Sequence, residues 1–408
     1  MSTSPALQPP RISLQPVEAP PRIVSRWPIY AEDEIAAVTD VLRAGRVNSL
    51  HHGERCRKFE ERFATLCDMP HAIAVANGTL ALEVSLRALG IGPGDEVIVP
   101  ARSFVASASC VVACGAKPIF ADIDPVTQGL NANLVAAQLT PRTRAIIVVH
   151  LGGHPADVAE IAVLAKQYDI KLIEDCAQAH GATLLGKPVG SFGDAAAFSF
   201  CTDKIMSTGG EGGMAVFRDE APALQAWSLK DHGKDRLAAK SPHNTHGFRW
   251  LHARFGSNYR LTEMQAAIGL VQLEKLDRWL DIRRRNAAVL QAELVGCPAL
   301  RLIEPHSDVG HAYYKYYAFV RPEKLRSGWH RNRIVEEAWI SGVPCQTGIC
   351  PEIYRERAFA GLGPSKSLPI AHELGRTSIM LPVDPTLSEA SCSAMGSVLR
   401  SIVEEASC

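Results

Sequence analysis

Short apolar runs alternate with amphipathic stretches through the larger part of the chain. Seven of these runs are typical of strands, and the apolar positions between them recur at helical spacing. The runs are AIAVAN, EVIVP, PIFADI, RAIIVVH, KLIEDC, AAAFSF and GGMAVF. Alternating strands and helices are typical of a mostly parallel sheet. We therefore predict an α/β fold on a mostly parallel seven-stranded sheet flanked by helices.

The pattern changes after this alternation ends. Residues 261–294 carry a long helical pattern, which predicts a helix between two domains. Beyond it, residues 311–320 alternate as a strand, and residues 331–342 and 388–403 have helical spacing, which predicts a smaller α+β domain. Six prolines among the first 25 residues predict a flexible arm. The predicted parts are a proline-rich arm at 1–25, a large domain at 26–275 and a small C-terminal domain at 276–408.

Composition narrows the class of protein. Lys plus Arg and Asp plus Glu both number 43 in 408 residues, so no global field favours nucleic acid or an anionic membrane. No apolar run has the length of a membrane span, and the N-terminus lacks the order of a signal peptide, so we expect a cytoplasmic protein. The eleven cysteines are scattered without a Cys-x-x-Cys pair, and we expect free thiols and no metal site.

Candidate chemistry lies at the strand ends, where parallel sheets bind ligands. Asn77-Gly78-Thr79 leads from the first run into a helical stretch. Its backbone N–H groups and hydroxyl suit a phosphate, and an ordinary strand-to-helix turn is the alternative. Phe104 follows the second run and is either a ring that stacks on a flat cofactor or a core residue.

Two carboxylates, Glu174 and Asp175, end the fifth run, and the amide of Gln178 follows. Successive strand residues face opposite sides, so only one carboxylate can point into a site. A buried carboxylate needs a partner, which a protonated heterocyclic nitrogen supplies. The alternative is a helix cap that faces solvent.

Lys204 lies between an apolar run and a glycine-rich turn, in FSFCTDKIMSTGGEGG at 198–213. A lysine amine forms a Schiff base with an aldehyde only when it is unprotonated, so it must lie on a rigid element in a partly dry pocket. Taken alone, Lys204 is better explained as a solvated lysine near a hairpin. With the hydroxyl of Ser199 and the groups at the other strand ends, it completes the set that pyridoxal 5′-phosphate requires.

Five ordered blocks of sequence carry a resemblance to a known family. They are NGTLALEVSLRALGIGPGDEVIVPARSF, PRTRAIIVVHLGGHPADV, IEDCAQAHGA, FSFCTDKIMSTGGEGGM and SNYRLTEMQAAIGLVQL. From about Trp27 to the C-terminal region, the chain resembles the nucleotide-sugar aminotransferases of the DegT type. This family is a branch of the fold-type I pyridoxal-phosphate enzymes. The resemblance implies a pyridoxal-phosphate-dependent transaminase.

The resemblance also implies residue roles. Lys204 is expected to be the Schiff-base lysine and Asp175 the partner of the pyridine nitrogen, and these two are the expected catalytic residues. Gln178 is expected to contact the phenolic oxygen of the cofactor, and Phe104 to stack on its ring. Lys204 argues against the sugar dehydratases of this fold, which carry histidine at that position.

The cofactor's phosphate is expected to bind Gly78, Thr79 and Ser199. The family's asparagine that matches Asn258 reaches the phosphate of the neighbouring subunit. The resemblance therefore implies a homodimer with shared active sites.

The implied reaction has two half-reactions in one site. An amino donor, L-glutamate by resemblance, leaves as its keto acid, and a keto sugar then collects the amine. We expect a 4-keto-6-deoxy sugar nucleotide as acceptor, in amino-sugar biosynthesis for a surface polysaccharide such as O-antigen or for a glycosylated metabolite. A 3-keto sugar or a cyclitol is the alternative acceptor. A non-catalytic regulator that binds pyridoxal phosphate is the alternative of another class, although no basic stripe supports it.

The chain also departs from the family. Gly152-Gly153 stands where many relatives have a tyrosine, Cys201 stands where many have histidine, and the glycine turn is one glycine longer. These changes concern the sugar pocket, so a substrate-side contact is either missing or supplied elsewhere. Three further side chains are candidates for the substrate's diphosphate, with loop positions facing solvent as the alternative. They are Arg249, Arg260 and His311.

Overall fold

The computed structural model describes residues 22–49, 53–241 and 248–408. Residues 1–21 of the predicted proline-rich arm lie outside this part. The end of the arm is held by the C-terminal part of the chain. The N–H of Ile23 donates to the carbonyl of Gly342 (3.0 Å), and the hydroxyl of Ser25 donates to Asp384 (2.7 Å).

The described residues form thirteen strands. In chain order they are β1 His71–Val75, β2 Glu96–Pro100, β3 Lys117–Ala121, β4 Thr143–Val149, β5 Lys171–Asp175, β6 Thr183–Leu184, β7 Lys187–Pro188, β8 Ala195–Ser199, β9 Gly213–Phe217, β10 Leu300–Leu302, β11 Val309–Gly310, β12 Tyr316–Val320 and β13 Ser378–Leu381. All seven predicted runs are among them.

The same residues form twelve α-helices. They are α1 Glu32–Ala44, α2 Glu54–Leu66, α3 Gly78–Ala88, α4 Ala106–Ala113, α5 Ala132–Ala136, α6 Val158–Gln167, α7 Glu220–Lys230, α8 Arg236–Lys240, α9 Glu263–Leu294, α10 Arg331–Ile340, α11 Pro369–Thr377 and α12 Glu389–Ala406. None of the described helices combines the length and the apolar composition that crossing a membrane requires.

The predicted sheet is confirmed. Its seven strands have the order β1-β9-β8-β5-β4-β2-β3, and only β9 runs against its neighbours. Strands β2, β8 and β9 are buried along their whole length, since helices cover the sheet. As a result, the carboxyl ends of β1, β2, β4, β5 and β8 lie along one edge of the sheet.

The C-terminal part of the chain forms the second layer. Strands β10, β12 and β13 make a three-stranded antiparallel sheet that packs with α10, α11 and α12. The predicted long helix is a single helix, α9, which packs against α1, α2 and α12. A capping box closes its N-terminus, with Thr262 and Gln265 as partners. The predicted domain boundary at 275 falls inside this helix.

One predicted strand is shorter than expected. The alternating pattern at 311–320 forms a strand only at Tyr316–Val320. Before it, the amides of Ala312 and Lys315 donate to the carbonyls of Gly153 (2.9 Å) and Gly152 (3.3 Å), respectively. The residues before β12 therefore bond to the turn after β4 and are not part of the predicted strand.

Candidate active site

Glu174 and Asp175 have separate partners at the end of β5. Both are buried. The Asp175 carboxylate accepts a hydrogen bond from the Ser107 hydroxyl (2.7 Å) and one from the Ala177 N–H (3.2 Å). Burial raises the pKa of Asp175, although Ser107, the Ala177 amide and the charge of Lys204 oppose the rise. Asp175 is therefore a buried carboxyl group at the sheet edge with no ion pair in the described structure.

Glu174 points away from this edge. Its carboxylate accepts hydrogen bonds from the amides of Gly190, Phe192 and Gly193, and from Nε2 of His150 (3.0 Å). The ring of His150 must carry its proton on Nε2, because Nδ1 accepts the Ala156 N–H. With Cys176 these residues are the one set of three potential metal ligands in the described ranges. The carboxylate acceptors are already used, which makes this cluster a structural one.

A tight corner lies where β1 meets α3. The Asn77 side chain accepts the Leu80 N–H (2.9 Å) and so caps α3, while Gly78 and Thr79 occupy the first two helical positions. Their N–H groups have no acceptor inside the helix. A Cβ on Gly78 would lie 2.6 Å from the Cβ of Ser199, so only glycine allows this close approach to the end of β8. The corner combines a helix N-terminus with a hydroxyl and suits a phosphate.

Lys204 lies in the turn after β8 and is held by residues from distant parts of the chain. Its carbonyl accepts a hydrogen bond from the indole N–H of Trp27 (2.8 Å). Its Nζ lies 3.8 Å from the carboxylate of Asp203 and 4.9 Å from the ring centre of Tyr314. The side chain of Lys204 is mostly buried, and its charge acts on Asp175.

Tyr314 and Asp203 are neighbours of Lys204 that sequence reasoning missed. The Tyr314 hydroxyl donates to the Asp203 carboxylate. Burial opposes ionisation of Asp203, but the charge of Lys204 and the Tyr314 hydroxyl together lower its pKa. Asp203 directly precedes Lys204 in the sequence, whereas Tyr314 belongs to the alternating pattern at 311–320, which predicts a strand. Tyr314 comes close to Lys204 because the strand begins only at Tyr316, so that residues 311–315 turn towards the site.

Gln178 and Phe104 complete the edge. The side-chain oxygen of Gln178 accepts the Gly152 N–H (2.8 Å), so the amide is fixed beside the turn after β4. Phe104 follows β2, and its ring is exposed. An exposed large ring at a sheet edge is available for contact with a planar ligand. Ser103 bonds to Ser107, which links this loop to Asp175.

The remaining predicted site residues have partners elsewhere. Arg260 forms an ion pair with Asp231 (2.7 Å), and Arg249 donates to the carbonyls of Ser241 and Ala238. His311 stacks on Tyr313 with ring centres 3.8 Å apart, and burial lowers its pKa. Asn258 is exposed and forms an antiparallel bridge with Asp231. Of these four residues, only His311 belongs to the 311–315 segment, which reaches Lys204 through Tyr314.

The residues at this edge fit pyridoxal 5′-phosphate. A buried carboxyl group with a raised pKa suits a protonated pyridine nitrogen, and the corner at Gly78 suits a phosphate. Lys204 supplies an amine, and Phe104 an accessible ring. These donors match the cofactor's groups, so the predicted set of residues is chemically suitable.

Comparison with known proteins agrees with the fold and with the predicted family. A GDP-perosamine synthase of Caulobacter vibrioides is 38% identical over 334 residues, covering 82% of this chain and 86% of that protein. An L-glutamine:2-deoxy-scyllo-inosose aminotransferase of Streptomyces kanamyceticus is also 38% identical, over 296 residues, 72% of this chain and 69% of the relative. The crystal structure of an aminotransferase from Psychrobacter cryohalolentis superposes with a TM-score of 0.90 at 44% identity, covering 94% of this chain and 99% of the other.

The family-wide comparison gives the same result. The sequence profile of the DegT/DnrJ/EryC1/StrS aminotransferase family matches residues 28–400, which is most of the chain. The resemblance noted in the sequence is thereby confirmed, and with it the assignment as a pyridoxal-phosphate-dependent transaminase. The chain belongs to the DegT/DnrJ/EryC1/StrS aminotransferase family.

Proposed function

We propose that this aminotransferase binds pyridoxal 5′-phosphate through Lys204 and transfers an amino group from L-glutamate to a keto-sugar nucleotide, a 4-keto-6-deoxy sugar in particular. The observation that carries the proposal is that Lys204 and Asp175 both lie at one sheet edge. The charge of Lys204 acts on a buried carboxyl group whose pKa burial has raised. A buried carboxyl group with a raised pKa near a lysine is typical of a functional site, here one that binds a cationic ring.

Asp175 and Lys204 divide the chemistry. When bound, the cofactor supplies an electron sink for the charge left as a proton leaves the amino-bearing carbon. The Asp175 carboxylate holds the pyridine nitrogen in its protonated form. The Nζ of Lys204 then moves the proton on and off the substrate carbon. Ser107 orients Asp175 through its 2.7 Å hydrogen bond.

The other residues bind and orient. The N–H groups of Gly78 and Thr79 and the hydroxyl of Ser199 hold the phosphate at the start of α3. Phe104 packs on the face of the ring, and Gln178 contacts the phenolic oxygen while its own oxygen bonds to Gly152. Together these contacts hold the reacting atoms in place for both half-reactions.

Asn258 acts in the second subunit of a homodimer. It is exposed and lies just after three strongly exposed aromatic side chains. They are Phe248, Trp250 and Phe255. A segment with such residues is typical of an interface. Asn258 then contacts the phosphate in the partner's site, and a monomer is inactive.

The acceptor is the least constrained part of the proposal. The relative from Caulobacter is named a GDP-perosamine synthase, which supports a keto-sugar nucleotide. The relative from Streptomyces kanamyceticus is named for L-glutamine and 2-deoxy-scyllo-inosose, which supports a cyclitol as second candidate and glutamine as a possible donor. The departures at Gly152-Gly153 and Cys201 do not favour either acceptor.

A direct experiment starts from purified protein loaded with pyridoxal 5′-phosphate. We expect a visible absorption band that bleaches when L-glutamate is added and returns with a keto-sugar nucleotide. L-glutamine in parallel identifies the donor, and free cyclic ketones in parallel test the cyclitol alternative. A protein that binds the cofactor but shows no bleaching with either donor would support the non-catalytic regulator instead.

A further inference from the structure

The glycine turn after β4 allows the chain before β12 to approach Lys204. Gly152 and Gly153 have φ values of +65° and +92°, and a Cβ on Gly153 would lie 2.9 Å from the amide nitrogens of Tyr313 and Tyr314. No side chain fits in that space. On its other side the segment is held by Arg283, whose Nη1 donates to the carbonyls of Tyr313 (3.4 Å) and Tyr314 (3.3 Å).

This approach places two lysines beside one ring. The Nζ of Lys204 lies 4.9 Å from the ring centre of Tyr314, and the Nζ of Lys315 lies 5.0 Å from the same centre. The two ammonium groups are therefore no further apart than the sum of these distances. Lys315 directly precedes β12 of the small C-terminal sheet, so the site receives a positive charge from the segment that leads into the second layer.

Lys315 is half-buried, and within the described ranges its Nζ contacts the ring of Tyr314 but no anionic group. Its Nζ forms neither a hydrogen bond nor an ion pair there. Two carboxylates act on it from further away, but both are engaged elsewhere. Asp203 bonds to Tyr314 and Lys204, and Asp384 accepts hydrogen bonds from Ser25 (2.7 Å) and Thr386 (3.1 Å). Burial lowers the pKa of Lys315, as do the charges of Arg283 and Lys204.

Because a buried charge is costly without a counter-charge, the half-buried ammonium of Lys315 favours binding of an anion beside Lys204. The reacting carbon of the amino donor must come within about 3.5 Å of Lys204 for proton transfer. A dicarboxylic donor carries one carboxylate on that carbon and a second a short chain away, so its carboxylates lie in the neighbourhood of Lys204. Two described cations there form no ion pair, Arg283 and Lys315. Arg283 is fully buried and donates to the carbonyls of Tyr313 and Tyr314, so Lys315 is the one of the two that a ligand can reach.

We propose that Lys315 binds a carboxylate of the amino donor, and that Tyr314 separates this anion site from Lys204. The inference rests on the proposed aminotransferase function and adds the residue that selects an acidic donor. It also gives the glycine turn a role, since the turn lets the segment before β12 deliver a substrate contact. Charge attraction makes the contact specific for an anionic donor group.

The test uses the loaded enzyme and the unreactive dicarboxylate glutarate. Binding of glutarate is measured by calorimetry, and KM is measured separately for glutamate and for the keto-sugar nucleotide. Lys315→Met is the main variant, Lys315→Gln is a second in case the first does not fold, and Lys315→Arg preserves the charge. Lys187→Met, on the exposed strand β7, is the matched control.

We expect Lys315→Met to weaken glutarate binding and raise the KM for glutamate by about 10- to 100-fold, the range for loss of a hydrogen bond to a charged group. Lys315→Arg should restore most of both, and the KM for the sugar nucleotide should not change. Wild-type glutarate affinity in Lys315→Met and Lys315→Gln would overturn the proposal, and so would a rise confined to the KM for the sugar nucleotide. Failure of the proposed function looks different, because wild-type enzyme would then not bleach with any donor.

Discussion

Glu174 and Asp175 are adjacent carboxyl groups on β5, yet their surroundings differ completely. Glu174 accepts hydrogen bonds from three backbone amides and from His150. From the described residues Asp175 accepts two, from Ser107 and Ala177, and burial raises its pKa. The pleat of the strand turns one carboxylate towards the loop at 190–193 and the other towards Lys204. A buried acid that the chain itself saturates holds the fold, whereas one left under-satisfied is available for a ligand.

The largest expected effect comes from Lys204, the amine that shares the sheet edge with Asp175. Lys204→Ala should fold and assemble as wild type but lose both the visible absorption band and all measurable turnover, because no other amine replaces Nζ. Absorbance spectra, circular dichroism and gel filtration measure the three properties, with Lys187→Ala as the control. Retention of the band and of turnover would remove the basis of the proposed site.

The second effect separates function from stability at Asp175. Asp175→Asn should lower turnover by at least about 10²-fold, the scale for loss of a key electrostatic contact. In the cofactor-free protein the same substitution should instead raise the folding stability at high pH. The raised pKa means that the folded state binds the proton more tightly than the unfolded state, so stability falls as pH rises from the ordinary value of 3.8 through the raised one.

Asp175→Asn removes this pH-dependent loss. Thermal melts of the cofactor-free proteins at pH 4 and pH 8 should therefore show a variant that is at least as stable as wild type at pH 8. A strong destabilisation at pH 8 would mean that Asp175 is structural, like Glu174.

The third effect, at Glu174, has the reverse pattern, because stability should fall while turnover is kept. Glu174→Gln places an amide NH₂ opposite N–H donors that now bond to a carboxylate, so it should destabilise the protein by about 2–5 kcal/mol. Turnover per folded molecule should stay close to wild type, since Glu174 points away from Lys204. Denaturant unfolding and active-site titration measure the two quantities. A large loss of turnover with normal stability would show that Glu174, like Asp175, acts in the reaction and is not a structural residue.

The smallest effect tests the support of Asp175. Ser107→Ala removes the 2.7 Å hydrogen bond and should raise the pKa of Asp175 further, because that bond opposes the effect of burial. A loss of about 0.5–1.5 kcal/mol corresponds to a fall in turnover of up to about tenfold. Steady-state kinetics against Ser109→Ala, on the same helix, provide the measurement. Identical rates in the two variants would show that Ser107 does not position Asp175.

Much of the fold was predictable from local patterns. The seven strands of the large sheet and the helix at Glu263–Leu294 follow from apolar periodicity, which is a property of short segments. The pattern at 311–320 misled because alternation describes burial on two faces and not the hydrogen-bond partner. Residues 311–315 bond instead to the glycine turn at Gly152-Gly153.

The candidate site divides in the same way. Asp175, Lys204 and Gly78 follow strands directly, so chain order and strand direction already predict that they share an edge. Tyr314 and Trp27 contact Lys204 or its neighbour from 111 and 177 residues away in sequence, respectively. No short-range pattern indicates such pairs. Arg260 likewise has Asp231 as a partner 29 residues away, and this ion pair changes the interpretation of a free cation.

By itself, the sequence determined the α/β architecture, the family and the pair of residues on which the proposed chemistry rests, because these depend on periodicity and on motifs within single segments. Only the tertiary structure decided which carboxylate is saturated and which cations remain unpaired. Those properties arise when distant segments meet in a low-dielectric interior, where each donor or acceptor must find a partner. Glu174 found its partners within the chain, whereas Asp175 and Lys315 are left with capacity for a ligand.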